Sequence, residues 1–246
     1  MKRAFTLIEL VLVLVILAVV THLAVRELGA LQDGRREKAA QTQLEEIRVA
    51  AQAFLSDLGR LPRLVAETNA AGEEIKTLSE LWKRPDWLPG GSVTNVGGQV
   101  LMAVGWRGPY LRLPTGAERL LDPWGNVIEQ VDDGGCQRIF ADATGQVTNI
   151  CISARKEKCL SLIPDGGLSC ALVVTVTGGG TDPVVRCYSR QEGQAVIVET
   201  SERVGNQFMF SGLTPGEKLV GVEGEDGAFV RPVTVKGPVT EVEVAP

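Results

Sequence analysis

The chain contains a single histidine, His22, and it lies inside an apolar run near the N-terminus. A histidine-dependent catalytic triad, or a zinc site with histidine ligands, is therefore excluded from the rest of the chain. The glycine run 178–180 is not followed by the Lys-Ser/Thr pair that a phosphate-binding loop requires. The five cysteines lack the spacing of metal ligands. The sequence thus predicts no catalytic residue, no metal site and no enzyme activity.

The chain also lacks an excess of basic residues. Its formal net charge is −5 over 246 residues, so it has no electrostatic footprint for nucleic acid. From residue 168 onward, the chain has ten Asp and Glu residues and six Lys and Arg residues, which gives this part a net charge of −4. Such a module is a poor candidate for binding DNA or an anionic membrane surface. The length allows one large domain or two small ones.

All five cysteines lie in the second half of the chain. In an oxidising compartment, five cysteines predict up to two disulfides and one remaining thiol. Fifteen such arrangements exist, and the sequence does not select among them. Two pairings are guesses: Cys136 with Cys151 across a hairpin, and Cys170 with Cys187.

The N-terminus carries a short basic segment and then a long apolar run. Lys2 and Arg3 precede the run, which extends from residue 5 to residue 25. As a helix it is long enough to cross about 30 Å of hydrocarbon. Its one acid, Glu9, would cost a few kcal/mol in a bilayer, so we expect it to have a function and a partner. A secretory signal would instead have a shorter apolar core followed by its cleavage site.

The segment Ala4-Phe5-Thr6-Leu7-Ile8-Glu9-Leu10 resembles the processing site of the type IV pilin and type II secretion pseudopilin superfamily. The resemblance implies cleavage between Ala4 and Phe5 by a prepilin peptidase of the inner membrane, followed by N-methylation of Phe5. It also implies that Glu9 is the acid used in filament assembly. Ala4 departs from the family, which usually has glycine before the cleavage site.

A second apolar pattern follows the N-terminal run. Apolar residues recur at steps of four and three, as on one face of an amphipathic helix: Ala40, Leu44, Ile47, Ala51, Phe54 and Leu58. Gly59 and Pro62 predict the end of this helix. We therefore expect one spine helix over residues 5–58. The alternative is an anchor joined to a separate helix by a loop near Gly29–Gly34.

Two turn motifs lie beyond the spine. The first is Gly108-Pro109-Tyr110-Leu111 and the second is Asp122-Pro123-Trp124-Gly125. Gly-Pro and Asp-Pro mark turns, and the aromatic rings must be buried to contribute stability. Together the motifs resemble those of the major pseudopilin of type II secretion, protein G. The resemblance implies that they are structural, and that a small antiparallel sheet packs on the spine. We assign its strands to residues 128–131, 138–140 and 147–152.

The resemblance also raises the question of calcium, because that family has a calcium site after the second motif. The corresponding residues here are 132–136 and 141–145. They contain few acids and one cysteine, whereas a calcium site needs several oxygen ligands. We assign no calcium ligand and no cofactor.

The composition changes after residues 164–167, and short β-branched runs separated by glycine-rich turns follow. This spacing predicts an all-β sandwich, with strands at residues 172–177, 184–189, 195–200, 207–210, 219–223, 229–235 and 240–244. Residues 208–217 are similar to carboxypeptidase-regulatory-like, transthyretin-like sandwiches. No ligand for this module follows from the sequence.

The predicted fold class is α+β: a long N-terminal spine helix packed on a small antiparallel sheet, followed by an all-β sandwich. The predicted divisions are a leader (1–4), an anchor and spine (5–58), a pseudopilin-like head (59–164) and a sandwich (165–246). The resemblance implies a subunit of a type II secretion pseudopilus, in the bacterial inner membrane with a single pass and its C-terminal part in the periplasm. Its partners would be further copies of itself, other pseudopilins, an assembly platform and prepilin peptidase. The alternatives are a type IV pilin that displays the sandwich for adhesion or motility, and a bitopic ligand-binding membrane protein.

Overall fold

The computed structural model describes most of the chain after its first six residues. The described residues are 7–68, 72, 74–96, 100–128, 137–143, 145–152, 158–164, 167–178, 182–224 and 227–245. Contacts divide the chain into two compact units, Met1–Gln43 and Leu44–Pro246. The predicted α+β class is confirmed, with one long N-terminal helix followed by strands.

One helix, α1, runs without a break from Leu7 to Leu58. It passes through the segment near Gly29–Gly34, so the alternative of two helices joined by a loop is wrong. Two glycines there cost the helix about 1 kcal/mol each relative to alanine. Gly59 ends the helix with a φ of +75°, and its N–H donates to the carbonyl of Leu55. The predicted apolar stripe is buried along its whole length, from Ala40 to Leu58.

The N-terminal part of α1 is apolar and exposed. The side chain of Ile8 is 77% exposed, and the large apolar residues from Leu10 to Leu23 are each about half exposed. Within the part of the chain that the structure describes, no helix meets the length and hydropathy needed to cross a membrane.

The segment after α1 forms three small sheets. The first is a pair, β1 (Val65–Thr68) with β2 (Glu74–Thr77), and a 3₁₀ turn follows at Ser79–Leu81. The second is the hairpin of β3 (Ser92–Val96) with β4 (Val100–Val104). These four strands were not predicted, because they are short and lack a clear alternation of apolar residues.

The third sheet is three-stranded and antiparallel, in the order β5-β6-β7, with strands Gln137–Ala141, Val147–Ile152 and Lys158–Ser161. It confirms the strands predicted at residues 138–140 and 147–152. The strand predicted at 128–131 falls mostly outside the described residues.

A disulfide joins β6 to β7. Cys151 and Cys159 are directly opposite each other in the register of the two strands, with their Cα atoms 4.0 Å apart. The guess that paired Cys151 with Cys136 is therefore wrong, because Cys159 is its cross-strand neighbour. The second guess is also wrong: Cys170 and Cys187 are buried thiols that lie in two different sheets.

The C-terminal part consists of two four-stranded sheets, which we call the two-sheet module. The strands are β8 (Cys170–Val176), β9 (Val184–Gln191), β10 (Gln194–Val198), β11 (Glu202–Val204), β12 (Gln207–Leu213), β13 (Gly216–Gly224), β14 (Gly227–Val235) and β15 (Val239–Val244). One sheet has the order β10-β9-β13-β14 and the other β11-β12-β8-β15. Seven of the eight strands were predicted. β11 was missed because its three residues are all exposed and carry no apolar alternation.

The two sheets of the module share one apolar core. It is built from alternate residues of both sheets, including Leu172 and Val174 of β8, Phe210 of β12 and Val220 of β13, all fully buried. A second, smaller cluster lies outside this core, where Tyr188 and Leu219 of the module pack with β4. The module therefore packs on the β3–β4 hairpin by an apolar contact.

Lys218 is a charged residue inside the main core of the module. It lies on the same face of β13 as Val220 and Val222 and is only 2% exposed. Its Nζ donates to Thr214 Oγ1 over 3.2 Å. Burial lowers the pKa of the Lys218 amine from 10.5 to about 8, with nearby Arg190 acting in the same direction.

Loss of the disulfide should destabilise the chain measurably. The bond closes a loop of sequence separation 8, for which loop entropy predicts about 2.5 kcal/mol. We expect the double variant Cys151→Ser, Cys159→Ser to lose about this free energy of unfolding, measured with denaturant on the full chain in detergent. In protein kept free of air, reductant should cause the same loss in the wild type and none in the variant. Equal unfolding midpoints for wild type and variant would contradict the assignment.

Lys218 should make the stability depend on pH. Between pH 8 and 10.5 the unfolded amine keeps a proton that the folded amine has lost, so the free energy of unfolding rises with pH. Lys218→Met should be more stable than the wild type at pH 7, and this advantage should shrink above pH 8 by at most about 1.4 kcal/mol per pH unit. Above pH 9 the Cys187 thiol acts in the opposite sense, because burial raises its pKa to about 11. A pH-independent difference between the two proteins would refute this account.

Candidate functional site

The residues predicted for processing lie at the edge of the described chain. Ala4 and Phe5 fall outside the described residues, and Glu9 lies near the N-terminal end of α1. Their roles in cleavage, methylation and assembly stay predictions. The structure does describe the two turn motifs, and the first of them lies against the C-terminal end of α1.

Tyr110 of the first motif connects its turn to α1. Its hydroxyl donates to Asp57 Oδ2 over 3.0 Å and accepts from the backbone N–H of Arg107 at the same distance. Its ring meets the ring of Phe54 edge-on, with centroids 5.4 Å apart, and that of Trp106 at 5.6 Å. The motif therefore holds the last turns of the helix by aromatic contacts and a hydrogen bond to a buried carboxylate.

The turn at Gly108 and Pro109 is shaped by close packing. Their peptide bond is cis, and a Cβ atom at Gly108 would lie 2.6 Å from the Trp106 ring. Glycine is therefore the residue that fits beneath this indole. The backbone N–H groups of Tyr110 and Leu111 both donate to the carbonyl of Leu81, and the Leu111 side chain is buried.

Asp57 is the charged centre of this turn. The guanidinium of Arg107 pairs with its Oδ1 while Tyr110 occupies Oδ2. The hydrogen bond to Asp57 raises the pKa of Arg107. Burial raises the pKa of Tyr110, and the Asp57 charge adds to this effect. Both partners thus stay protonated and keep donating to the carboxylate at all ordinary pH values.

The second motif forms a self-contained turn. Asp122 is 5% exposed, and its Oδ1 accepts from the backbone N–H groups of Trp124 and Asn126 at 2.9 and 2.8 Å. Its Oδ2 accepts from the Asn126 side chain over 3.2 Å. Gly125 has a φ of +89°, which favours glycine. Pro123, between the acid and the indole, is half-buried. The acid is fully used as an acceptor within its own turn, so it has a structural role here.

A buried ion cluster lies next to the first motif and was not predicted. Arg60 is 5% exposed and makes two hydrogen bonds to Glu80, at 2.9 and 3.0 Å, and one to Glu192 at 2.7 Å. Its guanidinium carbon lies 5.1 Å from the centroids of the Phe54 and Trp87 rings. Burial opposes the charge, but the two carboxylates outweigh it and raise the pKa of Arg60. Nothing in the sequence identified Arg60 or its acidic partners.

A second arginine, Arg190 of β9, connects the two-sheet module to the end of α1. Its guanidinium donates to the carbonyls of Ser56 at 3.1 Å and Ala103 at 2.7 Å, and it pairs with Glu217. The last carbonyls of a helix have no partner within the helix and carry partial negative charge, so a cation at this position is stabilising. The module thus supplies the C-terminal cap of the spine.

The acidic side chains of the two turns and of the Arg60 cluster stabilise the fold by hydrogen bonds. Asp57, Glu80 and Asp122 are occupied as hydrogen-bond acceptors of nearby donors. In the described part of the chain, no three His, Cys, Asp or Glu side chains are placed to hold a metal ion. The residues 132–136 that correspond to the family's calcium loop lie outside the described residues.

The two acids of the Arg60 cluster should differ strongly in their contribution to the free energy of unfolding. Glu80 is 1% exposed and also accepts from the Arg63 N–H, whereas Glu192 is 44% exposed. Glu80→Gln should cost about 3 kcal/mol, because it leaves a buried guanidinium without its main counter-charge. Glu192→Gln, the matched control on the same arginine, should cost at most about 1 kcal/mol. Unfolding of the full-length variants measures both, and equal costs would contradict the dominance of Glu80.

The N-terminus of the chain matches a known protein family. Residues 1–25 match the family described as the prokaryotic N-terminal methylation motif. No curated protein and no solved structure matches the chain. The motif is that of a type IV pilin-like prepilin, a substrate of prepilin peptidase with an N-terminal helix that is initially anchored in the membrane and then enters a filament.

Proposed function

We propose that the protein is a structural subunit of a type II secretion pseudopilus, and not an enzyme. The observation that carries the proposal is the N-terminal methylation motif over residues 1–25. The two turn motifs support the secretion branch, since residues 108–111 and 122–125 resemble those of major pseudopilins. In this role the chain is cleaved after Ala4 and assembles through its N-terminal helix, with other pseudopilins and an assembly platform.

The proposed location follows from the same motif. The basic leader stays on the cytoplasmic side, so the remainder of a single-pass chain faces the periplasm of a bacterial cell. The disulfide between Cys151 and Cys159 supports this location, because such bonds persist in oxidising compartments.

The proposed mechanism is assembly by charge pairing within an apolar bundle. Glu9 accepts the positive charge of the methylated Phe5 amine of a neighbouring copy. An unpaired carboxylate among apolar helices costs several kcal/mol, so pairing favours one axial register. The exposed apolar residues from Ile8 to Leu23 supply the surface that neighbouring helices cover.

The two-sheet module is proposed to move together with the end of the spine and the β3–β4 hairpin. It packs on β4 through Tyr188 and Leu219, and Arg190 caps the spine. Both contacts lie within the unit Leu44–Pro246. In a growing filament, force on the spine is therefore passed to the module by buried contacts and not by a flexible tether alone.

Removal of the assembly acid should stop filament growth. We expect Glu9→Ala to enter the membrane fraction at the wild-type level and to lose most of its filament yield, because the methylated amine loses its counter-charge. Glu27→Ala is the matched control: it removes a carboxylate from an exposed position of the same helix and should assemble normally. Filament yield is measured by cross-linking and sedimentation. Normal assembly of Glu9→Ala would refute the mechanism.

Two further measurements separate the proposal from its alternatives. Short pseudopili stay with the cells on shearing, whereas a surface pilus that displays the module for adhesion or motility is shed into the sheared fraction. Intact mass of the mature chain reports cleavage before Phe5 and one added methyl group. A chain that prepilin peptidase leaves uncut would instead be a bitopic ligand-binding protein.

A further inference from the structure

Three nucleophilic side chains meet in the core of the two-sheet module, and no role described above uses them. They are the amine of Lys218 and the thiols of Cys170 and Cys187, each at most 2% exposed. Thiols are often buried, but a lysine amine is almost never fully buried unless it is paired with an opposite charge. Their positions in the two sheets decide which chemistry they can share.

Lys218 and Cys187 are neighbours on the inner face of one sheet. Cys187 is directly opposite Val220 in the β9–β13 register, and Lys218 lies two residues before Val220 on the same face. The lysine is therefore the diagonal cross-strand neighbour of the cysteine, a separation that a long side chain can reach. Both side chains point into the same apolar core.

Cys170 occupies the facing sheet. It begins β8 and pairs with Leu213 of β12, next to Thr214, whose hydroxyl receives the Lys218 hydrogen bond. Facing sheets lie about 10 Å apart, whereas a disulfide needs Cα atoms within about 7 Å. A bond between the two thiols is therefore disfavoured, but the lysine side chain is long enough to enter the space between the sheets.

Burial shifts each of the three groups toward its neutral form. Among the described residues, no carboxylate forms an ion pair with Lys218. Burial raises the pKa of the Cys187 thiol, so its thiolate, the form that attacks peroxide, is scarce. Dioxygen is small and apolar and enters a dry core more readily than peroxide does. Oxidation by dioxygen is thus the favoured covalent chemistry of this cluster.

We propose that Lys218 and Cys187 are a site of oxidative cross-linking, joined through an Nζ–O–Sγ bridge when the protein is exposed to dioxygen. In this reaction, the amine and the thiol each lose one hydrogen atom. One oxygen atom of dioxygen is inserted between nitrogen and sulfur. The second oxygen atom leaves as water with the two hydrogens. Nitrogen and sulfur are oxidised and dioxygen is reduced. The bridge joins β9 to β13 across the core.

Mass spectrometry of the full chain tests the bridge directly. Protein purified in detergent, with or without air, is unfolded, alkylated without reductant and digested. Aerated protein should contain a linked pair of peptides, carrying Lys218 and Cys187, whose mass exceeds their sum by one oxygen and falls short by two hydrogens. Anaerobic protein should lack this pair, and reductant should separate it. This comparison needs no variant and does not depend on altered folding.

Variants identify the two ends of the bridge. Lys218→Met and Cys187→Ser should abolish the linked pair, whereas Cys170→Ser, the matched control in the same core, should keep it. The inference is overturned if aerated wild-type protein has no linked pair. It is equally overturned by a link without the added oxygen, by a disulfide between Cys170 and Cys187, or by a bridge that uses Cys170.

Discussion

The head of this protein depends on one buried guanidinium at the point where the spine ends. Arg60 lies one residue beyond the glycine that stops α1, and it contacts Glu80 of the 3₁₀ turn and Glu192 of the β9–β10 hairpin. An ion in the interior costs several kcal/mol unless its partners are close and well oriented. The chain therefore has to bring three distant segments together around Arg60, which gives the head one arrangement about the helix end.

The same constraint explains why the two-sheet module packs against the end of the helix. Arg190 and Glu192 occupy neighbouring positions at one hairpin, and they reach the helix carbonyl of Ser56 and the Arg60 guanidinium respectively. A Cβ atom at Gly59 would lie 1.9 Å from the Arg190 carbonyl oxygen, so only glycine allows this approach. A module that was merely linked by a flexible segment would need none of these contacts.

The sequence predicted what local periodicity encodes. The stripe from Ala40 to Leu58 and the end of the helix at Gly59 were visible as spacing and turn chemistry, and seven strands of the module as β-branched runs. The partners of Arg60 and Arg190 were not visible, because they come from acids and carbonyls up to 134 residues away along the chain. The cross-strand disulfide was missed for a similar reason. Its pairing depends on the register of β6 with β7, and β7 was not predicted.

The two parts of α1 differ in how far their apolar side chains are covered, although the helix is continuous. From Leu44 onward its apolar face is covered by the chain's own head, so this part is satisfied within one subunit. From Ile8 to Leu23 large apolar side chains are exposed in a single copy, and removing such surface from water is worth about 25 cal/mol per Å². This free energy favours covering the exposed residues with lipid or with neighbouring helices. The apolar composition of the first helix therefore favours its burial, whereas the stripe from Leu44 onward is already covered.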